Sequence, residues 1–297
     1  MNGTQFDVLA RMFAAKTSRR RVIGGAAAIA AAALLPLELR TASAQTDDAV
    51  ALVQQFYESI DAYAYADAYA LYGSNMQSQQ SAAQFEQGYS DTAFVQMTTS
   101  GSTANANGTS RVSVKLVAWH NDGTIKAYGG SYTVGTESGQ LKILGASINE
   151  GPKPSDTAPL CTINQLDFSL GPWDAGAGSR MSSVVATNTS DASCTVGGSP
   201  RVIINDATSG ESLRSTSEAG SPPVGITLDP GASAHAPLRF SNWCVSTQNK
   251  ISLAVEIPGD DSQGTIDTSA NGITYPPCLG ESQNPVLGVQ GFVSGMA

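Results

Sequence analysis

The sequence predicts two domains: helices packed on a curved antiparallel sheet, followed by an all-β sandwich. Three observations carry this reading. Apolar residues recur at helical spacing after residue 47, and the period changes to two after Ser90. Beyond residue 159 the chain reads as short alternating strands broken by Gly, Pro, Asn and Ser. About 250 residues remain once an N-terminal address segment is set aside, a length that suits two domains.

That address is "TSRRRVIGGAAAIAAAALLPLELRTASAQ", residues 17–45. A basic section ends at Arg21, an apolar run extends from Val22 to about Leu39, and small residues follow at Ala42 and Ala44. Signal peptidases accept only short side chains, which puts the expected cut between Ala44 and Gln45. As a membrane helix the run is marginal: ~18 residues is the lower limit for spanning, and it holds two Gly and Pro36. Gln45, rather than Cys, takes the first mature position, so a released protein is expected instead of a lipid-tethered one. Ser18-Arg19-Arg20-Arg21-Val22-Ile23 resembles the twin-arginine export signature. The resemblance implies folding in the cytoplasm before crossing, and a secreted or cell-envelope location.

Removing residues 1–44 takes away six of 16 basic and two of 25 acidic residues, leaving 10 against 23, a formal net of −13. No basic patch survives in the mature chain, which excludes nucleic acid as an expected partner. No membrane span is expected there either. All four cysteines lie in the second half, at Cys161, Cys194, Cys244 and Cys278. An even count in an exported chain reads as disulfides. Three pairings are possible. The sequential one, Cys161–Cys194 with Cys244–Cys278, is favoured because it staples neighbouring strands.

The first domain is placed at residues 45–150. Val50, Val53, Phe56, Tyr57 and Ile60 form a helical stripe behind Asp47-Asp48, an acidic pair suited to a helix N-terminus. Shorter helices are expected over Tyr65–Tyr72 and Ser81–Gly88. "RVSVKLVAWH", "NDGT" and "IKAYGGSYTV" then read as a hairpin with Asp122-Gly123 as a two-residue loop. That loop sets His120 opposite Ile125, Ala118 opposite Ala127 and Leu116 opposite Gly129. One face would carry Val112, Val114, Leu116, Ala118 and Ile125 toward the helices. The other would carry Lys115, Val117, Trp119, Lys126, Tyr128 and Tyr132. On that register Trp119, Tyr128 and Tyr132 make an aromatic stripe. It is a candidate binding face for sugar rings or an aromatic group, a docking face for the second domain, or ordinary sheet packing. "QLKILGASIN" supplies a last strand.

"FYESIDAYAYADAYALYG" and "FEQGYSDTAFV", with the helices-then-sheet order, resemble the nuclear-transport-factor-2-like cone fold of exported bacterial proteins. The resemblance covers roughly 100 residues. It implies either a small-molecule enzyme (isomerase, cyclase or hydratase) or a non-catalytic binding domain, and such open sheets often pair as homodimers. The acid–base candidates are His120, Asp61 and Asp67. A general base needs a partner and a tuned environment. No His–carboxylate pair stands at suitable spacing, so no catalytic residue is assigned.

"GPKPSDTAP", residues 151–159, has linker composition. Residues 160–293 form the second domain, with strands expected at "TINQLDFSL", "MSSVVATN", "RVIIND", "VGITL", "SAHAPLRF" and "ISLAVEI". Short strands without helices point to an Ig-like sandwich. "CTINQLDFSLG", "TNTSDASCTVGGSP" and "LDPGASAHAPLRF", with the third and fourth Cys, resemble an exported bacterial domain of unknown function frequent in actinomycetes. That family's cysteines look paired first to second and third to fourth, and it brings no catalytic motif. Asp229-Pro230-Gly231 is read as a turn, Asn188 and Asp191 as corner residues, and His235 as a strand residue. No nucleophile elbow, phosphate loop, nucleotide fingerprint or alternating-Asp calcium loop appears, and two His poorly supply a zinc site; no cofactor or metal is expected. The expected function is that of an exported, non-catalytic binding protein, its partner an unknown small molecule, a glycan or an envelope protein. The alternative is a cone-fold enzyme acting on a small apolar molecule.

Overall fold

The computed structural model describes residues 37–176, 178–210, 212–244, 250–280 and 285–295. Helix α1 (Leu37–Asp61) contains no Gly or Pro, and it buries Ala49, Leu52, Val53, Phe56, Tyr57 and Ile60 along one stripe. Its start at Leu37 corrects the placing of Asp47-Asp48 at a helix N-terminus; the pair lies exposed inside the helix. The expected cut after Ala44 falls within α1, ahead of the first buried side chain described, Ala49. The arginine pair and most of the apolar run lie outside the described residues.

Helix α1 ends in a left-handed cap. Ala64 N–H donates to the Ser59 carbonyl (2.8 Å) and Tyr63 N–H to that of Ile60 (2.9 Å), with Tyr63 at φ +57°. Glycine usually fills this position, because a Cβ in left-handed backbone costs about 1–2 kcal/mol. Three short helices follow: α2 (Tyr65–Ala70), α3 (Ser74–Gln79) and α4 (Ala82–Tyr89). Helix α3, "SNMQSQ", has too little apolar periodicity to be read from sequence; its buried residue is Met76. Helix α4 opens with a reciprocal cap between Ser81 and Gln84.

The sheet under these helices is β1 (Thr92–Ala104), β2 (Ser110–His120), β3 (Ile125–Glu137) and β4 (Gln140–Gly151), antiparallel and in chain order. The β2–β3 register differs from the sequence reading by one residue. Trp119 faces Ile125, Ala118 faces Lys126, Leu116 faces Tyr128 and Val112 faces Tyr132. The cause is the turn. Gly123 N–H donates to the His120 carbonyl (2.9 Å), His120 N–H donates to the Thr124 carbonyl (2.9 Å), and Gly123 sits at φ +80°. This is a type I turn closed by a glycine bulge, one residue longer than the two-residue loop. A one-residue slip exchanges faces. Tyr128 and Tyr132 therefore join Val112, Val114 and Leu116 in the helix-side core, while Trp119 and Ile125 share the opposite face. The predicted aromatic stripe is divided between the two sides.

Among the described residues beyond β4, the regular structure is all β apart from a 3-10 turn at Ile163–Gln165. Its strands are β5 (Leu166–Leu170), β6 (Asp174–Gly176), β7 (Ser179–Asn188), β8 (Cys194–Gly197), β9 (Arg201–Asp206), β10 (Ser212–Arg214) and β11 (Thr216–Ser217). Then come β12 (Gly225–Leu228), β13 (Ser233–Ser241), β14 (Ile251–Ile257), β15 (Asp260–Asp267), β16 (Val286–Val289) and β17 (Val293–Ser294). They hydrogen-bond along the path β10-β9-β14-β15-β5-β7-β13-β16-β11, with β8 and β12 as a separate ribbon. Alternate residues from both arms of this path meet in one core: Phe168, Val184, Ala186, Ala236 and Phe240 from one, Val202, Ile204, Leu253 and Val255 from the other. Strand β15, "DDSQGTID", was not anticipated; it carries one buried apolar side chain, Ile266.

Both disulfides form as favoured, Cys161–Cys194 and Cys244–Cys278, closing 33 and 34 residues. Asn188 satisfies the corner expected of it. Its amide donates to the Ala192 and Leu228 carbonyls, and its Oδ1 accepts from Ser190 N–H and Oγ. Asp229 and Gly231 make the expected turn, with Ala232 N–H donating to the Asp229 carbonyl.

Candidate functional site

The space between the short helices and the sheet is filled by rings. Phe56 lies against Tyr57, Tyr72, Phe85, Tyr89 and Tyr132, with centroids 5.1–6.4 Å apart. Tyr57 and Tyr132 join their hydroxyls at 2.6 Å. Burial pushes the Tyr57, Tyr72 and Tyr89 phenols well above their usual range and Tyr132 up to about 12, so this interior stays uncharged. Rings at these separations pack as in a protein core and fill the volume they occupy.

Of the acid–base candidates, Asp67 is exposed in the first turn of α2, a position its charge stabilises. His120 is buried, and burial holds its pKa below the usual range. Its Nε2 has no hydrogen-bond partner among the described residues. Asp61 is buried too, but at the boundary with the strand region. Its Oδ1 accepts from Val95 N–H (2.8 Å) and its backbone carbonyl from Ser199 N–H (3.1 Å). Burial pushes its carboxyl well above the usual range; the Val95 bond opposes this and Glu58 adds to it. The three candidates do not converge on one site. Among the described residues no group of His, Cys, Asp and Glu could hold a metal ion.

Trp119 stacks on Phe94 (4.7 Å, 21°), and the pair presses on the β8–β12 ribbon. A Cβ added to Gly197 would lie 2.4 Å from the Phe94 ring, and one on Gly225 2.9 Å from Trp119. Glycine is therefore required at both positions by close approach. Trp119 Nε1–H donates to the Ala158 carbonyl (3.1 Å), and Met97 N–H on the outer edge of β1 donates to the Pro223 carbonyl (2.8 Å). Trp119 thus serves as a joint between the regions, one of the uses the sequence left open for it. The last part of the linker is ordered into the same joint: the Ala158 carbonyl also accepts from Thr195 Oγ1 (3.1 Å) and the Pro159 carbonyl from Thr195 N–H (2.7 Å).

Beside the joint opens a cleft of about 350 Å³. Tyr63 and Asn121 line it from the first region, and Ser199, Arg201, Arg214, Glu256 and the Pro258–Asp261 turn from the second. Arg201 and Arg214 both donate to Glu256 Oε2 (2.9 and 3.1 Å), and Gln263 Nε2 donates to Oε1 (2.9 Å). Partial burial works against it, yet these bonds hold the Glu256 carboxyl below its usual range. The Arg201 guanidinium lies 5.9 Å over the Tyr63 ring. Sequence reasoning missed this set: Tyr63 and Glu256 are distant in the chain, and each looks ordinary within its own segment. The available signal was a tyrosine directly after a helix, where glycine is usual. A wider groove of about 990 Å³ runs where β14 and β15 part. There the β14–β15 ladder ends at Ala254–Thr265, and β15 turns to pair with β5.

Neither a curated protein nor a solved structure matches the chain significantly. Residues 161–290, the disulfide-stapled strand region, match the family model described as "Domain of unknown function (DUF4232)".

Proposed function

We propose that this is an exported, non-catalytic binding protein of the bacterial envelope or medium, sent out by its twin-arginine-type leader. On this reading a nuclear-transport-factor-2-like domain and an Ig-like sandwich are held as one unit by the Trp119 joint. The observation that carries it is the ring-filled interior of the first domain: Tyr57, Phe85 and Val114 occupy the space where a cone-fold enzyme would hold its substrate. The two disulfides fit an oxidising, extracytoplasmic setting. Among the described residues no helix is long and apolar enough to cross a membrane. Asp61 lines a recess at the domain boundary with Gly198 and Ser199, which also weighs against the enzyme alternative.

The test has two arms. Mass spectrometry of the protein recovered outside the cytoplasm should give a chain starting at Gln45 with all four cysteines oxidised; an unprocessed, reduced chain in the cytosol would overturn export. A small apolar probe such as naphthalene should leave the NMR resonances of the buried Tyr57 and Tyr132 rings unmoved. Shifts confined to those rings would revive the enzyme reading.

A further inference from the structure

We propose that the cleft beside the joint binds a saccharide; this deepens the non-catalytic binding reading and rests on it. Three observations converge there. First, the α1 cap holds Tyr63 in left-handed backbone, a position glycine would take without strain, so the ring rather than the backbone explains the residue. Second, Arg201 and Arg214 are locked on Glu256, yet each uses one terminal nitrogen there. The remaining N–H groups of both forks can serve a ligand, and the side chains are 45% and 55% exposed. Third, the same lining holds acceptors: Asn121 commits its amide nitrogen to the Ser90 carbonyl, which leaves Oδ1 to accept, and Asp261 is exposed.

Charge narrows the ligand class. Two arginines and three carboxylates, Glu256, Asp260 and Asp261, line the cleft, a formal balance of −1, so it favours neither an anion nor a cation strongly. Guanidinium donors, amide and carboxylate acceptors and an aromatic ring in one lining match a neutral molecule with many hydroxyls and an apolar ring face. The volume falls in the range of small-molecule sites. Both domains contribute, so the site exists only while the joint is closed.

The oxidised mature chain should be titrated with chitotriose, maltotriose and mannotriose separately, read by saturation-transfer NMR and calorimetry, with succinate and trilysine as charged controls. At least one trisaccharide is expected to bind with Kd below about 10 mM. Arg214→Ala, at the rim, should weaken it at least about tenfold with unchanged thermal stability. Tyr63→Gly removes the ring while suiting the backbone, so it should lose binding and stay folded. Binding of no trisaccharide, binding of a charged control alone, or binding indifferent to both variants overturns the saccharide assignment and leaves the export and non-catalytic reading standing. Conversion of a trisaccharide to products in the same spectra would instead overturn the non-catalytic reading.

Discussion

The first region is closed by rings: Phe56 sits among Tyr57, Tyr72, Phe85, Tyr89 and Tyr132, and its core contains no cysteine. The strand region buries mainly Val, Leu, Ile and Ala, and adds two disulfides. The difference follows from what each chain segment offers. A helix laid across a sheet brings large side chains from both into one compact volume, and burial alone stabilises it. Strands of two to ten residues joined by turns bury less per residue and leave a costly unfolded-state entropy, which cross-links reduce. The two regions should therefore fail by different routes.

The largest effect expected is in the ring cluster. Phe56→Ala should destabilise the first region by about 3–5 kcal/mol, measured by urea unfolding followed through tyrosine fluorescence. If the strand region unfolds in the same transition, the joint couples the two tightly. Replacing Cys161 and Cys194 together by Ala should cost the strand region about 3–4 kcal/mol on the chain-entropy model. A loss spread equally over both transitions would blur the contrast drawn here.

Gly197→Ala probes the joint itself. Its new Cβ meets the Phe94 ring, so a cost of about 1–3 kcal/mol is expected, with the two transitions moving apart in a calorimetric scan. Asp61→Asn probes the same boundary through pH. Because burial raises the Asp61 pKa, the folded chain keeps a proton that the unfolded chain has released between the ordinary carboxylate range and the raised value. Stability from this group therefore falls as pH rises through that window and returns on acidification. The amide keeps an acceptor for Val95 N–H and carries no charge. The variant should be the more stable protein at about pH 7, with a flatter pH profile in urea midpoints. The smallest effect is at the rim. Arg201 still holds Glu256 in Arg214→Ala, so stability should change by less than about 0.5 kcal/mol.

Much of the architecture was legible in the residues, and the exceptions are instructive. Alternation in "SAHAPLRF" and "ISLAVEI" gave away β13 and β14, while "DDSQGTID" hid β15 because a single apolar residue, Ile266, sets up no alternation. The NDG turn was visible, but whether its glycine closes a two-residue loop or a bulge was not. That single residue decided whether Tyr128 and Tyr132 faced the core or shared a surface with Trp119. The cleft was not legible at all, because its parts lie 58 to 198 positions from Tyr63 and its only local trace is that tyrosine's backbone.

By itself the sequence determined the order of helices, sheet and strands, an even set of four cysteines confined to the second half and the surplus of acidic charge. These depend on periodicity and composition, which act over a few neighbouring residues. Only the tertiary structure decided the hairpin register, the glycine seats for Phe94 and Trp119, and the meeting of Tyr63 with Arg201. Those depend on which surfaces fit once distant segments are brought together, and steric fit between distant segments leaves no periodic trace in the chain.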